Sequence, residues 1–143
     1  WDPAALSWSD FRGKVLGPTD PKEAPADSLR GRILRDWKSL GLKAEPNVGD
    51  NAVHASASPF EGMAERMNWL ETPCPKDPFC TALVQAGIDE SVVREWSKDP
   101  RVMTPATPDP VKKSLFDALE DMDAPACLKT AKQINALRKD KKK

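Results

Sequence analysis

Proline is the feature of this sequence that most limits its fold, because fourteen prolines divide the chain into short pieces. Each proline fixes its own φ angle, lacks a backbone N–H donor and disfavours helix at the residue before it. Regular structure is therefore confined to the intervals between prolines. The sequence predicts short elements joined by ordered turns and loops.

The charge balance argues against partners that are held by a global electrostatic field. Lysine plus arginine total 22 and aspartate plus glutamate also total 22, so the net charge favours neither nucleic acid nor a membrane surface. No apolar run approaches the roughly 18 residues that a membrane span requires. The chain begins with WDPAALSW, which has neither an initiator methionine nor the layout of a signal peptide. We expect part of a longer polypeptide, in preference to a processed product.

The first half of the chain predicts loops between a few helices. Apolar spacing over residues 4–16 favours a helix that ends at the Gly-Pro pair after it. Residues 17–28 contain three prolines and predict an ordered loop that turns repeatedly. Residues 29–37 are either a short helix or irregular, and residues 38–50 predict a second loop. The NAVH stretch at 51–54 is compatible with a short strand.

The clearest local signal is SPFE at residues 58–61. Ser58 is expected as the N-cap, Pro59 at the first helical position, and Glu61 at the spacing of a capping box. Apolar residues continue at helical spacing, namely Phe60, Met63, Ala64, Met67 and Leu70. A helix is therefore predicted to about residue 71, where TPCP stops it.

The second half predicts three or four more helices that carry little polar chemistry. One opens at Asp77-Pro78, the next is capped by Asp89, and another opens at Asp109-Pro110 after a linker at 101–110. A last helix runs into a basic tail. The residues expected to face a core are Val92, Val93, Trp96, Val111, Leu115, Ala118, Leu119, Met122, Leu128, Ala131 and Ile134.

The three cysteines lack the spacing of a zinc site. A disulfide between Cys74 and Cys80 is conceivable, because the PKDPF segment between them could turn. We favour free thiols, as in a reducing compartment.

The single histidine, His54, lies just before the predicted helix at 59–71. Polar residues that could contribute to a site with it are Asn51, Ser56 and Ser58 nearby, and Thr19 and Arg30 in and after the proline-rich loop. The start of the helix is expected to offer unpaired N–H groups that attract anions. Such a group suits phosphate chemistry, with imidazole as nucleophile or as acid and base. On composition alone, a lone histidine here is more often structural or solvent-facing.

Two segments of the first half together form a specific pattern. They are VLGPTDPKEAPADSLRG at 15–31 and NAVHASAS at 51–58. In this order they resemble the C-terminal half of the nucleoside diphosphate kinase family, which has a G-x-T-[ND]-P loop, a Ser/Thr-Ile/Leu-Arg-Gly turn and N-x-x-H-G-S-D-S before a helix. The resemblance covers residues 4 to about 71. WSDFRGKVLGPTDP at 8–21 is similar to the divergent branch of this family in ciliary and flagellar proteins.

The resemblance implies a role for each of the polar residues. His54 matches the histidine that takes the γ-phosphate from a nucleoside triphosphate, and Ser56 matches the hydroxyl that supports it. Thr19 and Arg30 match residues that contact the nucleotide phosphates, and Asn51 matches one near the sugar and phosphates. An active protein of this kind would use a magnesium-bound nucleotide, ATP or a nucleoside diphosphate, and no further metal site is expected.

The resemblance also implies a fold class and a division of the chain. Residues 1–72 would form a partial, ferredoxin-like α+β domain, mostly helices and loops here, whose first half is absent. Residues 73–143 would form an all-helical extension with a basic tail. The missing first half, which supplies early strands and other site residues in the family, would lie outside this sequence or be replaced by a partner.

Several positions depart from the family pattern. Ala55 replaces the glycine after the histidine, and Ala57 replaces an aspartate that helps to organise the site. Gly13 stands where the family has an arginine, although Arg12 and Lys14 flank it. An insertion also lies ahead of NAVH, and it would bulge beside the nucleotide.

These departures favour an interaction protein, a kinase-like component of a large assembly such as a ciliary axoneme. The alternatives are an active nucleoside diphosphate kinase that works through phospho-His54, and a non-catalytic nucleotide sensor. Partners are expected to be other protein chains, such as microtubule or axonemal proteins, bound through residues 73–143. Nucleotide is an expected ligand, whereas membrane and nucleic acid are not. The expected location is the cytoplasm, in the axoneme of a cilium or flagellum.

Overall fold

The computed structural model describes residues 4–105 and 110–140. It divides into two compact units, Trp1–Ala55 and Ser56–Lys143, which are described separately below. The elements in chain order are α1 (Trp8–Asp10), α2 (Leu29–Asp36), α3 (Pro59–Trp69), α4 (Pro78–Gln85), α5 (Glu90–Trp96), β1 (Arg101–Thr104), β2 (Val111–Ser114), α6 (Leu115–Leu119) and α7 (Ala124–Asp140). A π-helical turn covers Phe11–Leu16, and 3-10 turns cover Pro21–Glu23 and Cys74–Lys76. Helices with a small antiparallel sheet agree with the predicted α+β class in its general form.

The first helical segment begins at a polar cap and ends at a glycine. The Ser7 hydroxyl accepts a hydrogen bond from the N–H of Asp10 at 3.1 Å, which starts α1. The π-helical turn Phe11–Leu16 continues α1 as far as Gly17, whose φ of 91° lies in the region that favours glycine. The helix predicted over 4–16 is therefore confirmed from residue 8 onward.

The proline-rich segment 17–28 is an ordered loop, as predicted. Asp20 caps the 3-10 turn within it, and Ser28 at its end caps α2. The Ser28 hydroxyl accepts from the N–H of Gly31 at 3.1 Å and donates to the carbonyl of Pro25 at 2.6 Å. This cap settles the alternatives for residues 29–37 in favour of a helix.

The second unit has one hydrophobic core that α3 shares with the helices after it. α3 packs against α4, α6 and α7. The Phe60 side chain is fully buried, with its ring centroid 6.3 Å from that of Trp96 and 6.1 Å from that of Phe116. The predicted division between residues 72 and 73 stays a prediction. Along the sequence, the boundary between the two compact units falls between Ala55 and Ser56.

Most of the predicted helices after residue 73 are confirmed. α4 starts at the Asp77-Pro78 pair, where the Asp77 carboxylate accepts from the N–H groups of Phe79 and Cys80 and pairs with Arg66 at 3.1 Å. The structure buries most of the side chains that were predicted to face a core. They are Val92, Val93, Trp96, Leu115, Ala118, Leu119, Ala131 and Ile134. The helical periodicity therefore identified most of the inward faces correctly.

The expectation of an all-helical segment at 73–143 is wrong, because two stretches form a β-hairpin. Residues 101–104, predicted as a linker, form β1, and residues 111–114, predicted as the start of a helix, form β2. The strands pair antiparallel, with Arg101 opposite Ser114. Val111, which was expected to face the core, is 54% exposed. The predicted helix opener Asp109 lies outside the described residues.

Two side chains explain why α6 begins only at residue 115. Ser114 is its N-cap and accepts from the N–H of Asp117 at 3.2 Å. The carboxylate of Asp99 accepts from the Ser114 hydroxyl at 2.7 Å and from the N–H of Phe116 at 2.9 Å. These bonds fix the helix start next to the end of β2, five residues after the proline at 110 that suggested an earlier start.

The cysteines differ from the favoured expectation of free thiols. Cys74 and Cys80 form a disulfide, with their Cα atoms 5.3 Å apart, because the 3-10 turn Cys74–Lys76 folds the intervening segment back. Cys127 is a buried free thiol. Burial raises the pKa of Cys127 to about 12, despite hydrogen bonds from the Phe60 backbone and the Ser58 side chain.

The number of reactive thiols should therefore differ between the folded protein, the denatured protein, and the denatured and reduced protein. We expect Ellman's reagent to find no reactive thiol in the folded protein, even at pH 9, because the Cys127 thiol is buried and protonated. Denaturant without reductant should expose one thiol, and reduction in denaturant should expose three. Three thiols in denaturant without reductant would contradict the disulfide.

Within residues 4–105 and 110–140, no helix combines the length and the apolar character needed to span a bilayer.

Candidate functional site

Arg30, in the first turn of α2, joins two loops of the first unit. Its Nη1 donates to the carbonyl of Gly17 at 2.6 Å, and its Nη2 donates to the carbonyl of Val53 at 2.7 Å. Bonds from a charged donor to an acceptor are among the stronger hydrogen bonds in proteins. The side chain predicted to bind phosphate therefore already organises the backbone around the predicted site.

Asn51 makes a second connection between the same loops. Its Nδ2 donates to the carbonyl of Thr19 at 3.1 Å, and its Oδ1 accepts from the N–H of Val53 at 3.4 Å. Thr19 and His54 are both exposed. The structure thus brings the Thr19 loop, the start of α2 and the residues just before His54 together in one unit.

Burial and a second arginine both act on the charge of Arg30. Burial lowers the pKa of Arg30, and the nearby positive charge of Arg12 lowers it further. The Nε atom of Arg30 is buried and has no hydrogen-bond partner. Arg12 directly precedes Gly13, the position at which the family resemblance calls for an arginine, and lies in the π-helical turn that packs against α2.

The backbone just before His54 is strained. Ala52 has a φ of 64°, in the left-handed region that residues with a Cβ avoid. This conformation is incompatible with the strand suggested for 51–54, which is absent. The prediction of a strand here is therefore wrong.

Replacing Ala52 with glycine should stabilise the first unit by about 0.5–1 kcal/mol, because glycine adopts positive φ without the Cβ penalty. Native-state hydrogen exchange of residues in the first unit would measure the gain. Ala55→Gly is the matched control, since the φ of Ala55 is not positive, and it should lower stability instead. Equal losses in both variants would contradict the strain.

The second unit contains Ser56 and the start of α3. The Ser56 hydroxyl donates to the carboxylate of Glu65 on α3. Ser58 is the buried N-cap and accepts from the N–H of Glu61 at 3.2 Å. The Glu61 carboxylate reaches back to the N–H of Ala57, one residue before the cap. The predicted cap is confirmed, with Glu61 serving a different backbone group from the one that a standard capping box uses.

The start of α3 offers fewer unpaired donors than the sequence suggested. Pro59 has no N–H, and the N–H groups of Glu61 and Ala57 are bonded within the unit. The carboxylate of Glu61 also places a negative charge at this helix end, where it offsets the attraction for another anion. The anion-binding helix terminus stays a prediction, and the Glu61 carboxylate weighs against it.

Sequence reasoning missed two features of this region. Glu65 lies four residues after Glu61 on α3, a spacing that puts both carboxylates on one side of the helix and could have drawn attention to it. The two hydrogen bonds that Arg30 donates left no comparable signal in the sequence. Their acceptors are backbone carbonyls, and every residue has a backbone carbonyl. Among the described residues, no group of three or more histidine, cysteine, aspartate or glutamate side chains could hold a metal ion.

Comparison with known proteins gives one partial similarity to report. None of the protein-family models searched matches the chain, and no solved structure gives a significant match. Over 57 residues the chain is 40% identical to a nucleoside diphosphate kinase of Pyrobaculum aerophilum. Those residues make up 40% of this chain and 31% of that protein, so the chain spans less than a third of the relative's length. The similarity supports the resemblance to nucleoside diphosphate kinases and carries no information on the ciliary branch.

Proposed function

We propose that this chain, which is similar to a nucleoside diphosphate kinase over part of its length, acts as a non-catalytic interaction module in a larger assembly. The observation that carries the proposal is the start of α3, which follows His54 in the sequence. The N–H groups of Ala57 and Glu61 are bonded within the unit, and Glu61 places a carboxylate there. Phosphoryl transfer depends on donors and cations that are directed at the transferred group, whereas this helix end presents the carboxylate of Glu61.

The hydrogen bonds of Arg30 support the same proposal. Two of its N–H groups are used by the carbonyls of Gly17 and Val53, so the guanidinium acts as a structural clamp. Ala57 stands where the family has a carboxylate, which removes a group that helps to organise the site. A kinase-like backbone can persist under these conditions while its chemistry is lost.

Exposed apolar side chains support the interaction role. Trp69 and Leu70, at the end of α3, are 63% and 69% exposed, and Trp69 lines an open groove of about 860 Å³ between α3 and α5. In the first unit, the loop at 38–50 exposes Leu40 and Val48. Clusters of exposed apolar residues commonly mark protein–protein contacts. The proposed partners are therefore other protein chains, and the resemblance of residues 8–21 extends the proposal to an axoneme.

Phosphotransfer is the second candidate, and it has its own supporting observations. His54 is exposed, and Arg12 and Arg30 form a positive pair beside the loops that Asn51 and Arg30 hold together. A magnesium-bound nucleotide on these loops would place its phosphates near Arg12 and Arg30. Binding without transfer would make the chain a nucleotide sensor.

Incubation with γ-labelled ATP and magnesium separates these candidates. We expect no acid-labile phosphohistidine in the native protein, with incorporation indistinguishable from that of the His54→Ala variant. An active nucleoside diphosphate kinase serves as the positive standard. Acid-labile label that disappears in His54→Ala would overturn the non-catalytic proposal. Thermal stabilisation by nucleotide without any label would assign the sensor role.

The interaction half of the proposal has a separate test. Full-length protein in extracts of its own cells should migrate in a large complex, and Trp69→Asp with Leu70→Asp should release it as a smaller species. Val84→Asp is a matched control, because Val84 is also exposed, at 41%, but lies on α4 away from that groove. Migration of the wild-type protein as a free monomer would contradict the role in an assembly.

A further inference from the structure

A pocket in the second unit is separate from all residues discussed in the kinase-like region. It lies between α5, the β1–β2 hairpin and α7, and its volume is about 340 Å³. The hydrophobic residues that line it are Trp96, Pro100, Val102, Met103, Ile134 and Leu137. Concave, mostly apolar pockets of this size with a few polar groups are typical of sites for small molecules.

The polar groups of this pocket are mostly cationic. Arg101, Lys112 and Arg138 line it, against the single carboxylate of Glu95. Arg101 donates from Nη2 to the backbone carbonyl of Lys112 at 2.9 Å, and Arg138 donates from Nε to the Asn135 side chain at 3.4 Å. Within the described residues, none of the three cations forms an ion pair.

The hairpin register explains why two of these cations lie beside apolar side chains. Lys112 on β2 pairs directly with Met103 on β1, so both project from the same face. Arg101 lies two residues before Met103 along β1 and therefore shares that face. Met103 and two positive charges are thus fixed next to each other by the pairing of the strands.

We propose that this pocket binds a small amphipathic anion, with its apolar body against the hydrophobic lining and its acidic group between Arg101 and Lys112. The argument is charge complementarity on an apolar site, because like charges that have no carboxylate partner are stabilised by a bound anion. The volume lies near the lower end of the range for small-molecule pockets, which favours a compact ligand. The proposal is independent of any nucleotide chemistry in the first unit.

The test uses the full chain and the fluorescent probe 1-anilinonaphthalene-8-sulfonate, which joins aromatic rings to one sulfonate. We expect one saturable site on the wild-type protein. Arg101→Gln with Lys112→Gln should weaken binding by on the order of tenfold. Both side chains are exposed, so their replacement should leave the fold intact. Leu137→Trp should abolish binding by filling the pocket, with circular dichroism to confirm folding.

The matched control removes two lysines elsewhere on the same unit. Lys76 and Lys132 are exposed and do not line this pocket, so Lys76→Gln with Lys132→Gln should leave probe binding unchanged. Equal loss of binding in both double variants would overturn the proposal, as would many weak sites in place of one.

Competition identifies the chemistry of the ligand. Decanoate should displace the probe at concentrations at least tenfold lower than decanol, because only decanoate carries an acidic group. Equal displacement by decanol would overturn the requirement for an anion. Stronger displacement by an acidic peptide with one tryptophan, such as acetyl-EDWED-amide, would overturn the small-molecule assignment in favour of a protein segment.

Discussion

Replacing Phe60 with alanine is expected to lower the free energy of unfolding of the second unit by about 4 kcal/mol. Phe60 is fully buried near the start of α3, and its ring lies within 6.3 Å of the ring centroids of both Trp96 and Phe116. Removing the ring leaves a cavity between α3, α5 and α6, and no new contact replaces those that the ring made. Because single domains are stable by only about 5–15 kcal/mol, this loss should leave the unit close to unfolding at 37 °C.

Urea unfolding followed by far-ultraviolet circular dichroism would measure this effect. Trp69→Ala is the control, because it removes a larger ring from the same helix at a side chain that is 63% exposed, and it should cost less than about 1 kcal/mol. A similar loss in both variants would mean that α3 does not share a core with the helices after residue 73.

Replacing Gly31 with alanine should disrupt the first unit, with a loss of about 3 kcal/mol or more. A Cβ on Gly31 would overlap the carbonyl oxygen of Pro25 and lie only 2.9 Å from the Pro25 carbonyl carbon and 3.2 Å from the Cα of Ala26. These are backbone atoms and cannot rotate away, so α2 would have to separate from the loop. The separation would also pull Arg30 away from the carbonyls that it joins.

Hydrogen exchange would show this change as lost protection in residues 17–36. Gly13→Ala is the control in the same unit, because nothing lies within 4 Å of a Cβ at that position. It should stabilise the helical turn by about 0.5–1 kcal/mol, as alanine usually does in place of glycine. Full retention of protection in Gly31→Ala would contradict the close contact with Pro25.

Local rules predicted the helices well where a cap and an apolar period coincide. Ser58 with Pro59, and Asp77 with Pro78, start α3 and α4 as expected, since both the cap and the φ angle of proline are set by neighbouring residues. Val92, Val93 and Trp96 are buried on one face of α5 for the same reason. These features depend on residues a few positions apart, which a sequence displays directly.

The missed features depend on contacts between distant residues. β1 and β2 exist because each pairs with the other, and neither stretch has the alternating pattern of an amphipathic strand. The bond between Asp99 and Ser114 spans 15 residues and overrides the helix start suggested by the proline at 110. Arg30 and Asn51 were singled out as phosphate ligands, and their roles as links between loops could be found only from coordinates. Their predicted role toward phosphate stays a prediction.

The clamp between Gly17, Arg30 and Val53 has a consequence for engineering this protein. Both ends of the loop at 38–50 are anchored, one by α2 and the other by the bonds of Asn51 and Val53, and the residues from 38 to 45 are exposed. Loop-closure entropy grows slowly, by about 0.6 kcal/mol for each doubling in length. An epitope or a fluorescent tag inserted after Gly41 would therefore be tolerated, and it would report on the chain without displacing the residues around His54.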